Sequence, residues 1–474
     1  MKKIIAFFLT LWIVLSLAAC GGDTPDTETA PVDVTSPEET LVETTPEGSG
    51  TAEPEESLPE TVIPGTETPG TEAPETKPGT ETEPTVTEPP ETDPGEGLTP
   101  SEGLEYSMNR SADSYTVTGI GSCRDTDLVI PARHKGLPVV AIVTEAFADC
   151  GQIVSLTVPG TVKMIQEYAF SGCSNLKTVT LLRGVTMIEY YAFAGCDALQ
   201  HISFPDTLEL IDSYAFSGCS SLESVVFSGM TEIGYHAFEN CTSLKTAVLP
   251  AGGTIEEGTF KGCTALEEVT IPEGILSIGK SAFQGCTALR KIAIPGSVKE
   301  IGPYAFEGCL SLSEVTLSEG LTVIGYDAFR NCKALSAITL PESLRDLGGY
   351  VFAGCDALQK ITVADGNAIY HSDHNCVIHT RNQTVVAGCK TSVIPADGSV
   401  ESVSAGAFCD LAELRVLQIP ANVHMVIRDH AFSGCDHVTK ILFAGTEEQW
   451  SHDVYIFEDN GSLESAEIVY NYAG

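Results

Sequence analysis

Cysteines are the residues whose type and spacing first suggest chemistry in this sequence. Ten follow one another at intervals of 22 or 23 residues: Cys150, Cys173, Cys196, Cys219, Cys241, Cys263, Cys286, Cys309, Cys332 and Cys355. Zinc sites need clustered pairs of ligands, whereas these thiols occur singly. Disulfide bonds remain an alternative for an exported protein. Stacked, equivalent side chains, however, do not offer the dihedral angle of about 90° that the bond needs. The spacing favours buried, reduced thiols that pack as small apolar side chains.

A second candidate is a histidine cluster that interrupts the cysteine spacing. His371, His374 and His379 lie beside Cys376, and imidazole and thiolate both suit zinc. The stretch from Cys376 to Cys389 has instead the pattern of a β-hairpin with polar residues at its tip. We therefore predict no metal site here, and the sequence contains no motif for a cofactor.

Tyrosines that precede the recurrent phenylalanines are a third candidate. Tyr168, Tyr191 and Tyr214 occupy the same position in successive repeats. Such a stripe can stack on sugars or anchor protein contacts, or it can pack against the neighbouring repeat. We predict that these tyrosines, and short polar side chains at outward strand positions, are candidate ligand contacts; the outward set is Thr178, Thr180, Thr270, Thr316 and Thr339.

Catalytic motifs are missing from the sequence. It contains no G-x-S-x-G elbow, no H-E-x-x-H pair, no phosphate-binding loop and no convergent carboxylate pair outside the repeated pattern. We expect no enzymatic activity.

The elements that position all these residues are short repeated strands. Between Cys263 and Cys286, Val269 and Ile271 alternate with polar residues, which is typical of a half-buried strand. Pro272 ends that strand because it has no N–H to donate. One such unit cannot bury its apolar face alone, whereas stacked units bury a continuous core. The pattern predicts a solenoid of 22–23-residue leucine-rich repeats, with a parallel β-sheet on one face and short strands and turns on the other. Twelve recurrent phenylalanines predict twelve coils: Phe147, Phe170, Phe193, Phe216, Phe238, Phe260, Phe283, Phe306, Phe329, Phe352, Phe408 and Phe432.

The unit C-x-x-L-x-x-V/I-x-I/L-P followed by I-G-x-x-A-F-x-G-C resembles that of the BspA-like family of bacterial surface leucine-rich-repeat proteins. The resemblance extends over about Leu104 to Gly474. The segment 115–121 with 137–139 resembles the one that begins the repeats in that family, and the segment 444–450 through 468–470 resembles the one that ends them. It implies a solenoid capped at both ends. It also implies a role in adhesion to host proteins or to other cells.

The N-terminus indicates export. Lys2 and Lys3 precede an apolar run from Ile4 to Leu17, and Ala18 and Ala19 lead to Cys20, which is the layout of a secretory signal peptide. The segment resembles the lipobox of bacterial lipoproteins. The resemblance implies that Cys20 is acylated and holds the mature protein on the outer face of the cell membrane.

Residues 21–100 have the composition of a disordered tether. They include 21 of the acidic residues, a single basic residue (Lys77), 15 of the 26 prolines and no aromatic side chain, so they cannot bury enough apolar area to fold. The whole chain has a net charge of −40. Nucleic acid is excluded as a partner because its binding relies on basic residues that neutralise phosphates.

The predicted organisation has seven parts. They are a signal peptide (1–19), the lipidated Cys20 with the tether (20–100), an N-terminal cap (101–145), repeats (146–363), a hairpin insertion (364–400), further repeats (401–443) and a C-terminal cap (444–474). We expect the solenoid to bind an extracellular protein or glycoprotein. The alternative is a carbohydrate-binding protein that captures polysaccharide. A hydrolase is the least favoured hypothesis.

Overall fold

The computed structural model describes residues 98–229, 231–421 and 424–472. The predicted signal peptide, Cys20 and the tether up to residue 97 lie outside the described residues. The described chain is a parallel β-solenoid with repeats of about 23 residues, which confirms the predicted fold class. None of the helices in these ranges is long and apolar enough to cross a membrane.

The N-terminal segment closes the first end of the solenoid. Its strands are β1 (Glu105–Met108), β2 (Tyr115–Gly119), β3 (Asp127–Val129), β4 (Arg133–His134) and β5 (Leu137–Ile142). β1 pairs antiparallel with β2, and β2 pairs parallel with β5. The antiparallel hairpin therefore occupies the edge at which the parallel ladder begins, which limits pairing with other chains.

The regular coils each contribute two strands. In the first half these are β6 (Ser155–Val158), β7 (Met164–Ile165), β8 (Thr178–Leu181), β9 (Met187–Ile188), β10 (His201–Ser203), β11 (Leu210–Ile211), β12 (Ser224–Val226) and β13 (Glu232–Ile233). The following coils add β14 (Thr246–Val248), β15 (Gly253–Ile255), β16 (Glu268–Thr270), β17 (Ile275–Ile278), β18 (Lys291–Ile294), β19 (Glu300–Ile301), β20 (Glu314–Leu317), β21 (Val323–Ile324), β22 (Ala337–Leu340), β23 (Asp346–Leu347) and β24 (Lys360–Val363).

An irregular stretch interrupts the coils after β24. β25 (Tyr370–Asp373), β26 (Cys376–His379) and β27 (Thr384–Ala387) form an antiparallel meander, and β28 (Ser402–Val403) resumes parallel pairing. The Tyr370 hydroxyl accepts a hydrogen bond from the Leu347 N–H (3.2 Å). A side chain thus satisfies a backbone donor at the place where the regular ladder stops.

The C-terminal coils and cap complete the chain. They comprise β29 (Val416–Ile419), β30 (Met425–Ile427), β31 (Lys440–Phe443), helix α1 (Glu447–Asp453), β32 (Val454–Ile456), a 3₁₀ turn (Gly461–Glu464) and β33 (Glu467–Val469). Thr446 and Gln449 form a capping box at the start of α1, which satisfies two backbone donors. Trp450 packs edge-on against Phe443, so the helix covers the last apolar layer.

The solenoid has about 15 turns, more than the twelve that the phenylalanine count predicts. The count was wrong because strands at both ends, and β27 in the irregular stretch, complete turns without that phenylalanine.

Part of the core is a column of stacked phenylalanine side chains. Ten phenylalanines from Phe147 to Phe352 form one column, with parallel rings whose centroids are 4.9–6.2 Å apart. Backbone hydrogen bonds accompany this column; the Phe193 N–H, for example, donates to the Ala215 carbonyl at 2.8 Å. Successive coils are therefore bonded even where no strand occurs.

Each coil turns two corners in the left-handed backbone region. The residue two before the phenylalanine and the residue before the cysteine both have positive φ: Tyr191 (+55°) and Gly195 (+68°) in one coil, and His236 (+55°) and Asn240 (+60°) in another. Glycine and asparagine suit this region, whereas tyrosine and histidine adopt it at a cost of about 1–2 kcal/mol. The predicted tyrosine stripe thus lies at a strained corner.

Candidate binding face

The broad face consists of the outward side chains of the even-numbered strands β6 to β24. Along each strand apolar residues point into the core and the others point outward, as in β8, where Val179 is buried and Thr178 is exposed. The predicted contacts all have outward positions on this face: Thr178 and Thr180 on β8, Thr270 on β16, Thr316 on β20 and Thr339 on β22.

Threonine and serine side chains line up across the strands. Thr180 lies between Thr157 and Ser203 in register, and Thr339 shares a hydrogen bond with Thr362 (2.8 Å between the hydroxyl oxygens). β-Branched side chains are stiff about their first torsion. A partner that docks here would therefore immobilise little side-chain freedom.

Charged side chains on the broad face neutralise one another. Lys291 pairs with Glu268 of the preceding strand at 3.3 Å. At the edge of the face, Lys245, which directly precedes β14, pairs at 3.8 Å with Glu223, which directly precedes β12. These pairs are exposed and contribute little to stability. Their effect is that the broad face has no strong positive or negative electrostatic potential.

Two valines form an apolar patch that the sequence interpretation missed. Val226 on β12 and Val248 on β14 are adjacent in register and are 57% and 40% exposed. Most coils have threonine, serine or alanine at the equivalent position. A large apolar residue at an outward strand position was therefore the sequence signal that could have revealed this patch. Exposed apolar patches commonly mark contacts with other macromolecules.

A shallow depression of about 250 Å³ lies beside this patch. Ala293 forms its floor between Thr270 and Thr316, and Lys291 and Glu314 form one side. The depression exists because alanine is shorter than the threonine found at that step in the neighbouring strands. Two of the predicted contacts, Thr270 and Thr316, are brought together here.

The three predicted tyrosines lie outside the broad sheet. Tyr168, Tyr191 and Tyr214 stack face to face, with centroid separations of 5.2 and 4.8 Å, and His236 continues the stack at 4.8 Å. The inner ring faces are therefore covered by other rings. Hydroxyl-bearing edges, rather than faces, are available to a ligand.

The thiols of the cysteine ladder point into the core. None of the fifteen cysteines among the described residues forms a disulfide. From Cys173 to Cys355, each ladder thiol donates to a phenylalanine carbonyl of the preceding coil, with Sγ to O distances of 3.1–3.3 Å. Burial raises the pKa of Cys219 and of Cys309 to about 12. These groups are therefore protonated and shielded from reagents.

The histidine cluster is dispersed over separate contacts. His371 is 2.9 Å from the Thr380 hydroxyl, His374 is 2.7 Å from the Asp373 carboxylate, and His379 accepts the Asn382 N–H at 3.3 Å. Cys376 is buried nearby and donates to the Val393 carbonyl. Within the described ranges, no group of three or more histidine, cysteine, aspartate or glutamate side chains could hold a metal ion.

One solved structure supports the fold. In fold, the chain is similar to a leucine-rich-repeat protein from Bacteroides ovatus (24% identity, 78% of this chain and 98% of that one covered, TM-score 0.58). Further matches are a leucine-rich cell surface protein from Faecalibacterium prausnitzii (25%, 76% and 98%, TM-score 0.46) and the pneumococcal vaccine antigen PcpA (17%, 79% and 98%, TM-score 0.41).

A search of curated proteins gave no match. The family model for the BspA-type leucine-rich-repeat region matches in six copies, over residues 140–254, 253–375 and 379–473. These ranges contain the ladder, the phenylalanine column and the broad face. The chain belongs to the BspA-type leucine-rich-repeat family.

Proposed function

We propose that the chain is a non-enzymatic binding protein of the cell surface, which attaches through its broad face to an extracellular protein or glycoprotein. The adjacent exposed valines Val226 and Val248 are the observation that supports this most directly, because they interrupt a polar, self-neutralised face. The N-terminal sequence, with its apolar run and Cys20, supports the proposed surface location and acylation. The name of the Faecalibacterium relative, a cell surface protein, agrees with that location.

Polysaccharide capture is the less favoured alternative. It requires aromatic faces on which sugar rings can stack, and the faces of Tyr191 lie against Tyr168 and Tyr214. We therefore expect protein recognition to dominate.

The test measures attachment of beads that carry the full mature chain to cultured animal cells and to a panel of bacteria. The double variant Val226→Glu/Val248→Glu should reduce retention about tenfold, since a charge would have to be desolvated in the contact. The control Leu276→Glu alters an equally exposed apolar residue outside the broad strands and should retain binding. Trypsin treatment of the target cells should abolish retention. Equal retention by both variants, or no retention by the unaltered chain, would contradict the proposal.

A further inference from the structure

The corner that bears the tyrosines differs between the two halves of the solenoid in how its carboxylates are neutralised. In later coils two carboxylates near this corner have a cation beside them: Lys261 is 3.9 Å from Glu239, and Lys280 is 2.8 Å from Glu257. In earlier coils none of the ion pairs found among the described residues involves the corner carboxylates, which are Glu145, Glu167, Glu189 and Asp212. The fold is the same in both halves, so the difference lies in the side chains.

The sequence shows the same segregation of charge. We define the tyrosine flank as the segments 142–150, 164–173, 187–196, 210–219 and 232–241. It contains seven aspartate and glutamate residues and no lysine or arginine: Glu145, Asp149, Glu167, Glu189, Asp212, Glu232 and Glu239. Glu239 lies 3.1 Å from His236 and 3.9 Å from Lys261 of the next coil, whereas the other six take part in none of the ion pairs found among the described residues. On the broad face, in contrast, Glu268 pairs with Lys291, and at its edge Glu223 pairs with Lys245. The general acidity of the chain therefore does not explain the missing cations of the flank.

The unneutralised carboxylates destabilise the free protein. Glu189 and Asp212 occupy equivalent positions in successive coils, and Glu167 is near them in the coil before. Burial, with a further contribution from the charges of Glu167 and Asp212, raises the pKa of the Glu189 carboxyl group. Like charges in adjacent positions repel. A cationic partner would remove this repulsion, and the free energy recovered would add to the free energy of binding.

Aromatic side chains make the flank rigid. Tyr190 lies edge-on to Tyr168 (5.8 Å) and to Tyr214 (6.0 Å), so it braces the stacked rings from the side. Tyr235 in the next coil is 52% exposed. Guanidinium groups stack on such rings and form hydrogen bonds with carboxylates at the same time.

We propose that the tyrosine flank is a second docking surface, which holds an extended, arginine-bearing peptide segment of a partner protein. Arginines lie against Tyr190 and Tyr235 and pair with Glu167, Glu189 and Asp212. Glu189 and Asp212 occupy equivalent positions one coil apart, about 4.8 Å, and Glu167 lies one residue away from this column in the preceding coil, so the carboxylates suit a series of side chains rather than a single ion. Anionic nucleic acids and lipids are repelled. This inference rests on the proposed function only in taking the chain as a protein-binding module; the surface is a different one.

The experiment uses a fluorescent peptide of alternating arginine and serine with five arginines, and its citrulline counterpart, which is neutral and of the same shape. Binding to the full mature chain is followed by fluorescence anisotropy. The variant Glu167→Gln/Glu189→Gln/Asp212→Asn should weaken binding of the arginine peptide about tenfold. The matched control Glu223→Gln/Glu268→Gln/Glu314→Gln removes the same charge from the broad face and its edge and should change binding less than twofold. Tyr235→Ala should weaken binding about threefold.

Hydrogen exchange locates the bound peptide independently of the acidic segment before residue 98. Bound peptide should slow exchange in residues 187–196 and 210–219. The inference would be overturned if the two triple variants lost affinity for the arginine peptide equally, if the citrulline peptide bound as tightly as the arginine peptide, or if exchange in these segments did not change. The Val226→Glu/Val248→Glu variant should bind the peptide normally, so a failure of the broad face and a failure of the flank are distinguishable.

Discussion

At the scale of single residues, the ladder thiols act as core atoms rather than as reagents. Burial raises the pKa of Cys219 to about 12, so roughly one thiol in 10⁴ is ionised at pH 8. We predict that iodoacetamide at pH 8 leaves Cys219 unlabelled in the native protein and labels it fully in denaturant. Cys150, which is only half-buried, should react first. Peptide mass spectrometry without reduction provides the measurement, and a disulfide-linked ladder peptide would contradict it.

At the corner two residues before the phenylalanine, glycine is required only where the neighbouring coil leaves no space for a Cβ atom. At Gly258 (φ +66°) a Cβ atom would overlap the His236 imidazole, which is stacked on Tyr214. We predict that Gly258→Ala lowers the free energy of unfolding by about 1–2 kcal/mol. The control is Ser281→Ala in the next coil, where a side chain already occupies the same corner at φ +55°. Urea titrations of both variants should differ clearly; equal stabilities would show that the corner tolerates the extra atom.

The carboxyl group of Glu189 links stability to pH. Because its pKa is raised above the ordinary value of 4.5, the folded protein binds this proton more tightly than the unfolded chain does. The group therefore favours folding at low pH, and this contribution is lost as the pH rises through the folded pKa. We predict that Glu189→Gln is more stable than the parent at pH 7, by about 0.3 kcal/mol, and that the difference vanishes near pH 4. Thermal melts at the two pH values test this, and a constant difference would count against it.

At the scale of elements, the phenylalanine column holds the coils together. Phe283 is fully buried and stacks on Phe260 at 5.5 Å and on Phe306 at 5.3 Å. Phe283→Ala would leave a cavity between two coils that cannot close, because the backbone hydrogen bonds fix their spacing. We predict a loss of about 3–5 kcal/mol in the free energy of unfolding, measured by urea titration. Phe457→Ala, at a position 48% exposed, is the control and should cost less than about 1 kcal/mol.

The strands and the core were predictable from the sequence because their rules are local. The alternation of Val269 and Ile271 with polar residues sufficed to predict the strand β16 and its buried face, and the cysteine spacing predicted the coil length. The left-handed corners were not predictable from residue type. Tyrosine, histidine and serine occupy a position that glycine would favour, since bonding between coils outweighs the local strain.

The binding face was predicted only in part, for a similar reason. Thr270 and Thr316 were expected to point outward, and they do. The depression at Ala293 and the pairing of Val226 with Val248 depend on which residues are adjacent between coils. Register between coils follows from the repeat, but the shape of a surface follows from small differences in side-chain size that no periodicity encodes.

At the scale of the whole molecule, the irregular stretch after β24 divides the hydrophobic core into two parts. One extends from Leu104 to Cys389, and the other extends from Cys376 to Leu463. Arg330 spans this division. Its guanidinium is 3.2 Å from Asp327 in its own coil and 2.7 Å from Asp410, which lies 80 residues later in the sequence.

We predict that Arg330→Met weakens the connection between the two core parts. Asp327 is nearly buried, and burial raises its carboxyl pKa although the Arg330 charge lowers it. Without the cation that pKa rises further, so the variant loses stability as the pH rises through it. Because Arg330 is about one-third exposed, the expected cost at pH 7 is about 2 kcal/mol. Calorimetry should show the C-terminal part melting earlier as a separate transition, and the deficit should shrink below pH 4. The double variant Asp327→Asn/Arg330→Met should recover most of the loss, because the uncompensated charge is gone; a double variant as unstable as Arg330→Met would mean that the stability comes from the Asp410 contact instead.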